Sequence, residues 1–194
     1  MEQRAVMMEP ISEERVIAAC QADDREAFRQ LFEAYKDKVF SIAVYSFRGD
    51  ANAASDVSQQ IFLKLMTTIK QFRGESAFTT WLYRLVVNAC MDEQRKRRRF
   101  LPFGDSLPEP KIQDRRPQEK QFARLELADS VQGAIQDLSP KLRMPILLKY
   151  VEGLSYEEIA EVMGCSKGTV ASRLNRGHES LAKKLCHLKG QLGE

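Results

Sequence analysis

The chain has 194 residues, 43% of them apolar, with 30 Lys and Arg against 27 Asp and Glu. That suffices for the packed cores of one or two small domains, and a formal charge of +3 does not by itself imply a polyanionic partner. No signal peptide or membrane-spanning run is legible, so a cytoplasmic protein without direct membrane insertion is expected. The four cysteines, Cys20, Cys90, Cys165 and Cys186, form no C-x-x-C pair, and together with His178 and His187 they match no zinc spacing. Neither disulfide, metal nor cofactor is expected.

Helical periodicity dominates from the start, and no segment alternates as a strand, so the fold class is all-α. Val16, Ile17 and Cys20 predict a short first helix. Asp23 with Glu26 resembles a capping box, followed by an apolar stripe through Phe28, Leu31, Phe32, Tyr35, Val39 and Ile42. Gly49 and Asp50 mark a turn. The next helix turns Ala54, Val57, Ile61, Leu65 and Ile69 inward. A loop, Phe72 to Ser76, leads to a helix with Phe78, Trp81, Leu82, Leu85 and Ala89 on its buried side. That helix runs into a basic cluster, Arg95-Lys96-Arg97-Arg98-Arg99. LPFGDSLPEPKIQDRRP then holds four of the seven prolines and cannot propagate a helix, which makes residues 102–118 a linker between two helical domains.

Beyond it, an amphipathic helix is expected from about Gln118 to Asp137 through Phe122, Leu125, Leu127, Val131 and Ile135. Ser139 as cap and Pro140 at the first helical position open the next, which should run to Glu152, bury Leu142, Ile146 and Tyr150, and stop at Gly153. Ser155 with Glu158 forms a capping box, Ile159, Ala160 and Met163 follow at helical spacing, and Gly164 suits a left-handed helix end. Ser166 caps a last helix with Val170 and Leu174 inward. Its outward face carries Lys167, Thr169, Ser172, Arg173, Asn175 and Arg176 and no acid. Two helices joined by a glycine turn, the second basic, are how a protein sets a helix into the DNA major groove. Residues 139–190 hold nine Lys and Arg against five acids, a local concentration typical of nucleic-acid binding.

Two separated segments carry a family resemblance. FRGESAFTTWLYRLVVNACMD from Phe72, and the hairpin with its leader LSPKLRMPILLKYVEGLSYEEIA, resemble the sigma-70 family of bacterial RNA polymerase sigma factors, in particular the extracytoplasmic-function (ECF) class. DVSQQIFLKLM from Asp56 resembles the helix with which these proteins grip the polymerase clamp. The resemblance implies region 2 over residues 10–101 and region 4 over 119–190. It implies a clamp contact with the largest core subunit through Asp56, Gln59, Gln60, Leu63 and Lys64, and a second contact near the flap of the second-largest subunit. Reading of the minus-ten element is implied for Phe72, Arg73, Ser76, Ala77 and Asn88. Arg95, Arg97 and Arg98 would lie along the upstream backbone, and Arg84 would hold phosphate. Reading of the minus-thirty-five element is implied for Ser166, Lys167, Thr169, Ser172, Arg173, Asn175 and Arg176. Control by an anti-sigma factor, often membrane-bound, is implied as well.

The sequence departs from the common recognition-helix pattern at Ala171, where many relatives carry Lys or Arg, and at Gly177-His178, which replaces Ala-Arg. Glycine inside a helix costs about 1 kcal/mol relative to alanine, so fraying of the last turn is expected. Two other readings compete. A stand-alone repressor or activator leaves the Phe72 to Asp92 segment without a task. An enzyme acting on nucleic acid lacks a carboxylate pair, a metal-ligand set and a phosphate loop.

Overall fold

The computed structural model describes residues 12–100 and 130–186. The linker expected at 102–118, the helix start at Gln118, and Phe122, Leu125 and Leu127 lie outside the described residues. Four helices form an N-terminal unit: α1 (Glu13–Gln21), α2 (Arg25–Ser46), α3 (Ala51–Thr68) and α4 (Phe78–Phe100), with a 3-10 turn at Ile69–Gln71 after α3. The C-terminal unit holds α5 (130–136), α6 (Pro140–Tyr150), α7 (Tyr156–Met163) and α8 (Lys167–Lys184). Among the described residues there is no strand, as the periodicity predicts.

The inward residues expected of α3 are buried: Ala54, Val57, Ile61 and Leu65, with Ile69 in the 3-10 turn. They meet Leu31, Tyr35, Val39 and Ile42 of α2, while Phe32 stays partly exposed and stacks edge-on against Phe62 at 4.7 Å. On α4, Phe78 and Leu82 are buried as expected, and so are Tyr83, Val86, Val87 and Cys90. Burial pushes the Cys90 thiol up to about 12, which makes it inert at neutral pH. The cap of α2 is Asp24, not Asp23: its carboxylate accepts from the Glu26 and Ala27 N–H groups, at 2.8 and 3.1 Å. Asp23 instead takes a left-handed φ of 66° in the turn after α1. Asp50 caps α3, and the Ala53 N–H, with Arg97 adding, holds its carboxyl below the usual range.

In the C-terminal unit the caps of the helical hairpin fall where the sequence puts them. Ser155 and Glu158 bond reciprocally, Gly164 is left-handed at φ 60°, and Ser166 accepts from Thr169 N–H. The α6 expectations need correction. The helix ends at Tyr150 rather than Glu152, and Ser139 occupies the cap position without a side-chain bond. Tyr150 is 64% exposed, while Arg143, Met144, Ile146, Leu147 and Leu148 are buried. The reason is tertiary: α6 packs on α7 and α8 and also on α2, so it is enclosed on more than one side.

The fraying expected at Gly177 does not occur, since α8 continues to Lys184. A Cβ at 177 would lie 3.2 Å from both Cγ1 and Cδ1 of Ile146, so the glycine permits close approach of α6 and α8. Gly177→Val should therefore overpack this contact and destabilise the chain by about 2 kcal/mol, read as an earlier thermal melt of the helical circular dichroism signal; an unchanged melt would contradict it.

The two units touch. α4 packs on α7 and α2 on α6, and one apolar cluster runs through both. At its centre the Arg143 side chain is 4% exposed. One terminal nitrogen donates to Tyr45 O at 3.2 Å and Ser46 O at 2.6 Å, at the end of α2. The other donates to Leu138 O at 2.7 Å and to Gln136 O. Burial lowers the guanidinium to about 10, so it stays charged at neutral pH.

Candidate nucleic-acid interface

The loop between the 3-10 turn and α4 is pinned at its start by Gln21, whose side-chain amide donates to Ile69 O at 3.1 Å and Phe72 O at 2.8 Å. Gly74 takes a φ of 73°, a region open to glycine at little cost. Phe72 rests half-buried on Phe78 and Trp81, with ring centroids 5.4 and 5.6 Å away. In front lies a cleft of about 620 Å³ whose walls include Phe72, Arg73, Ser76, Trp81, Lys70 and Arg84. Aromatic faces with cations on the rim can hold an unstacked base and its phosphate. Ala77 is exposed and Phe78 buried, and neither lines the cleft. Asn88 is exposed on α4 one turn past Arg84 and also lies outside it. Nothing in the sequence signals the cleft's far wall, Glu161 of α7, because the contact is between units. Arg84 donates to the Glu161 carbonyl at 2.9 and 3.3 Å.

Beyond Asn88, Arg95 sits 3.5 Å from Asp92, and Arg98 and Arg99 are exposed. Arg97 differs from them. It pairs with Asp50 at 2.9 Å and Glu93 at 3.0 Å and lies over the Phe47 ring, so it ties α4 to the start of α3.

On α8, Val170 and Leu174 are fully buried, which turns the polar face outward. Ser172, Asn175 and Arg176 are exposed at spacings that put them on one face, about 5–6 Å apart between Cβ atoms. Ser166 spends its hydroxyl on the Thr169 cap and also meets the Thr169 hydroxyl at 2.9 Å. Lys167 pairs with Glu157 of α7, which holds that carboxyl below its usual range. Arg173 reaches back to Cys165 Sγ at 3.7 Å.

A third surface lies on α3. Asp56, Gln59, Gln60, Leu63 and Lys64 are all exposed, and their spacing makes one stripe about 12 Å long. Leu63 is 59% exposed and Met66 50%, with Phe40 of α2 also open at 40%.

Comparison with known proteins decides the family. The sigma-70 region 2 model matches residues 31–100 and the sigma-70 region 4 model residues 128–181. The RNA polymerase sigma-H factor of Pseudomonas aeruginosa is 35% identical over 187 residues, which cover 92% of this chain and 96% of the relative. The chain belongs to the sigma-70 family, in its ECF class. The ECF RNA polymerase sigma-E factor of Haemophilus influenzae is 36% identical over 92% of this chain and 98% of its own. Among solved structures, the sigma factor RpoE of Bartonella quintana in complex with the anti-sigma factor NepR superposes with a TM-score of 0.65 at 26% identity. That match covers 82% of this chain and 96% of RpoE. This ECF sigma factor directs promoter-specific initiation by RNA polymerase. No described helix is long and apolar enough to cross a membrane.

Proposed function

We propose that the sigma factor divides its work among the three surfaces above and contributes no catalytic chemistry of its own. The α3 stripe grips the clamp of the largest polymerase subunit, with Leu63 as apolar anchor and Asp56, Gln59, Gln60 and Lys64 as polar rim. The cleft walled by Phe72, Arg73 and Ser76 captures a base extruded from the minus-ten element, with Ala77 next to Ser76 in the loop but outside the cleft. Asn88 and the cations Arg95 and Arg98 follow the DNA upstream along α4. Arg97, tied to Asp50 and Glu93, acts on DNA only by fixing the course of α4.

The helix α8 enters the major groove at the minus-thirty-five element. Ser172, Asn175 and Arg176 read base edges, while Ser166, Lys167, Thr169 and Arg173 hold phosphate at the helix N-terminus and along its flank. The C-terminal unit also meets the second-largest subunit near its flap. An anti-sigma factor controls the protein, a reading supported by the complex of RpoE with NepR.

The observation that carries this division is the exposed, acid-free row Ser172, Asn175 and Arg176 over the buried Val170 and Leu174. The test is transcription with core polymerase on sheared DNA from the source, mapping start sites. New starts sharing two upstream motifs are expected. Arg176→Ala should reduce them by a factor of about 10–100, since one good bidentate base contact is worth about 1–3 kcal/mol, and Asn88→Ala should alter the downstream motif. Starts unaffected by Arg176→Ala would refute the α8 assignment.

A further inference from the structure

The loop that walls the cleft is held from a distance by the end of α1. Gln21 is the last residue of that helix, which Ile17 and Cys20 seat in the core. Its side-chain amide has two N–H groups, and both donate to the loop's backbone, one to Ile69 O and one to Phe72 O. Ile69 O also accepts from the Phe72 N–H at 3.0 Å. Gln21 thus closes the 3-10 turn from outside and fixes the peptide that carries the Phe72 ring. Downstream the loop turns through Gly74, where a Cβ would meet nothing within 4 Å, so the glycine serves the φ of 73° and not a close approach. A loop with that backbone freedom presents one fixed aromatic wall only when something outside it holds it.

The residue two places on adds a second tie. α1 ends in a Schellman motif: the Asp23 N–H donates to Cys20 O and the Asp24 N–H to Ala19 O, both at 3.1 Å. The left-handed residue of that motif is usually glycine, because a side chain there is strained. Here it is Asp23, at φ 66°, and its carboxylate meets Lys70 Nζ at 2.6 Å. Lys70 lines the same cleft as Phe72. The backbone therefore carries a less favourable residue whose carboxylate sits on a cation of the cleft. Both partners are exposed, so the pair matters for where Lys70 points and little for stability.

We infer that the end of α1 positions the minus-ten reader: Gln21 fixes the Phe72 wall through Phe72 O, and Asp23 holds Lys70 at the cleft. Neither Gln21 nor Asp23 lines the cleft, so both are positioning residues. The inference rests on the base-capture role given to the cleft above. It adds that base discrimination there depends on a side chain 48 and 51 residues before the carbonyls it holds.

The test uses holoenzymes made from the full chain and core polymerase, on a promoter found by start-site mapping. Each is read as a ratio: initiation on that promoter divided by initiation on one with a minus-ten base replaced, and likewise for a minus-thirty-five base. Gln21→Leu keeps roughly the size of the side chain and removes its donors. Losing two hydrogen bonds should bring the minus-ten ratio down about five-fold, towards one, and leave the minus-thirty-five ratio as it was. Asp23→Gly suits the left-handed backbone and removes only the carboxylate. It should lower the minus-ten ratio about two-fold with no loss of thermal stability. A merely structural role would lower both ratios together or neither, and either result would overturn the inference. Should Gln21→Leu lose its helical circular dichroism signal, Asp23→Gly decides alone, and an unchanged minus-ten ratio in it overturns the inference. A wild-type holoenzyme indifferent to the minus-ten base would instead remove the base-capture reading, and the positioning role with it.

Discussion

Replacing Arg143 with methionine is expected to destabilise the fold by about 3 kcal/mol, because the change strips buried carbonyls of their donor. Ser46 O would keep the Gln94 amide and Gln136 O would keep Arg48. Tyr45 O and Leu138 O would lose the only side-chain donor they have among the described residues. An orphaned buried carbonyl such as Leu138 O costs about 1–3 kcal/mol and the part-buried Tyr45 O less, partly offset by no longer burying a cation. Arg143→Lys should recover only part of the loss, since an ammonium lacks the planar fork that serves two carbonyl pairs at once. Denaturant unfolding followed at the helical band provides the measurement. A loss below about 1 kcal/mol for methionine would mean that water reaches these carbonyls and that Arg143 is no keystone.

The second large effect belongs to Leu63. It is exposed, so Leu63→Asp should leave the melt of the free protein unchanged. If the α3 stripe is the clamp contact, a carboxylate placed in the apolar centre of that interface should weaken core binding by about 2 kcal/mol, close to thirty-fold. Titrating labelled protein with core polymerase would read this directly. Wild-type affinity in the variant would move the polymerase contact elsewhere.

The sequence made legible whatever rests on local chemistry. The stripe from Ala54 to Ile69, the Ser155–Glu158 box and the left-handed Gly164 follow from helical spacing and from which residues tolerate which backbone. Where two neighbours offer the same chemistry, spacing alone does not choose between them, as with Asp23 and the actual cap Asp24. What stayed hidden depends on contacts distant in sequence. Arg143 counted as one more basic residue in a basic segment, yet it is buried on four carbonyls. Arg97 sat in a run of cations, yet it is held by Asp50, 47 residues away. Tyr150 matched the α6 spacing and points outward, because α2 covers a different side of that helix. The same limit applies to the candidate site. Phe72, Arg73 and Ser76 share a cleft, but its wall at Glu161 comes from the other unit, and Asn88 stands apart from it.

The contact between Gly177 and Ile146 ties two positions 31 residues apart into one inheritance. As long as isoleucine fills 146, a side chain at 177 needs that isoleucine to give by a few tenths of an ångström. Valine at 146 removes only Cδ1 and keeps Cγ1 at 3.2 Å, whereas once 146 shrinks to alanine, alanine at 177 becomes an improvement for the helix. Lineages descending from this chain should therefore change the two positions together or in that order, with the smaller residue at 146 coming first.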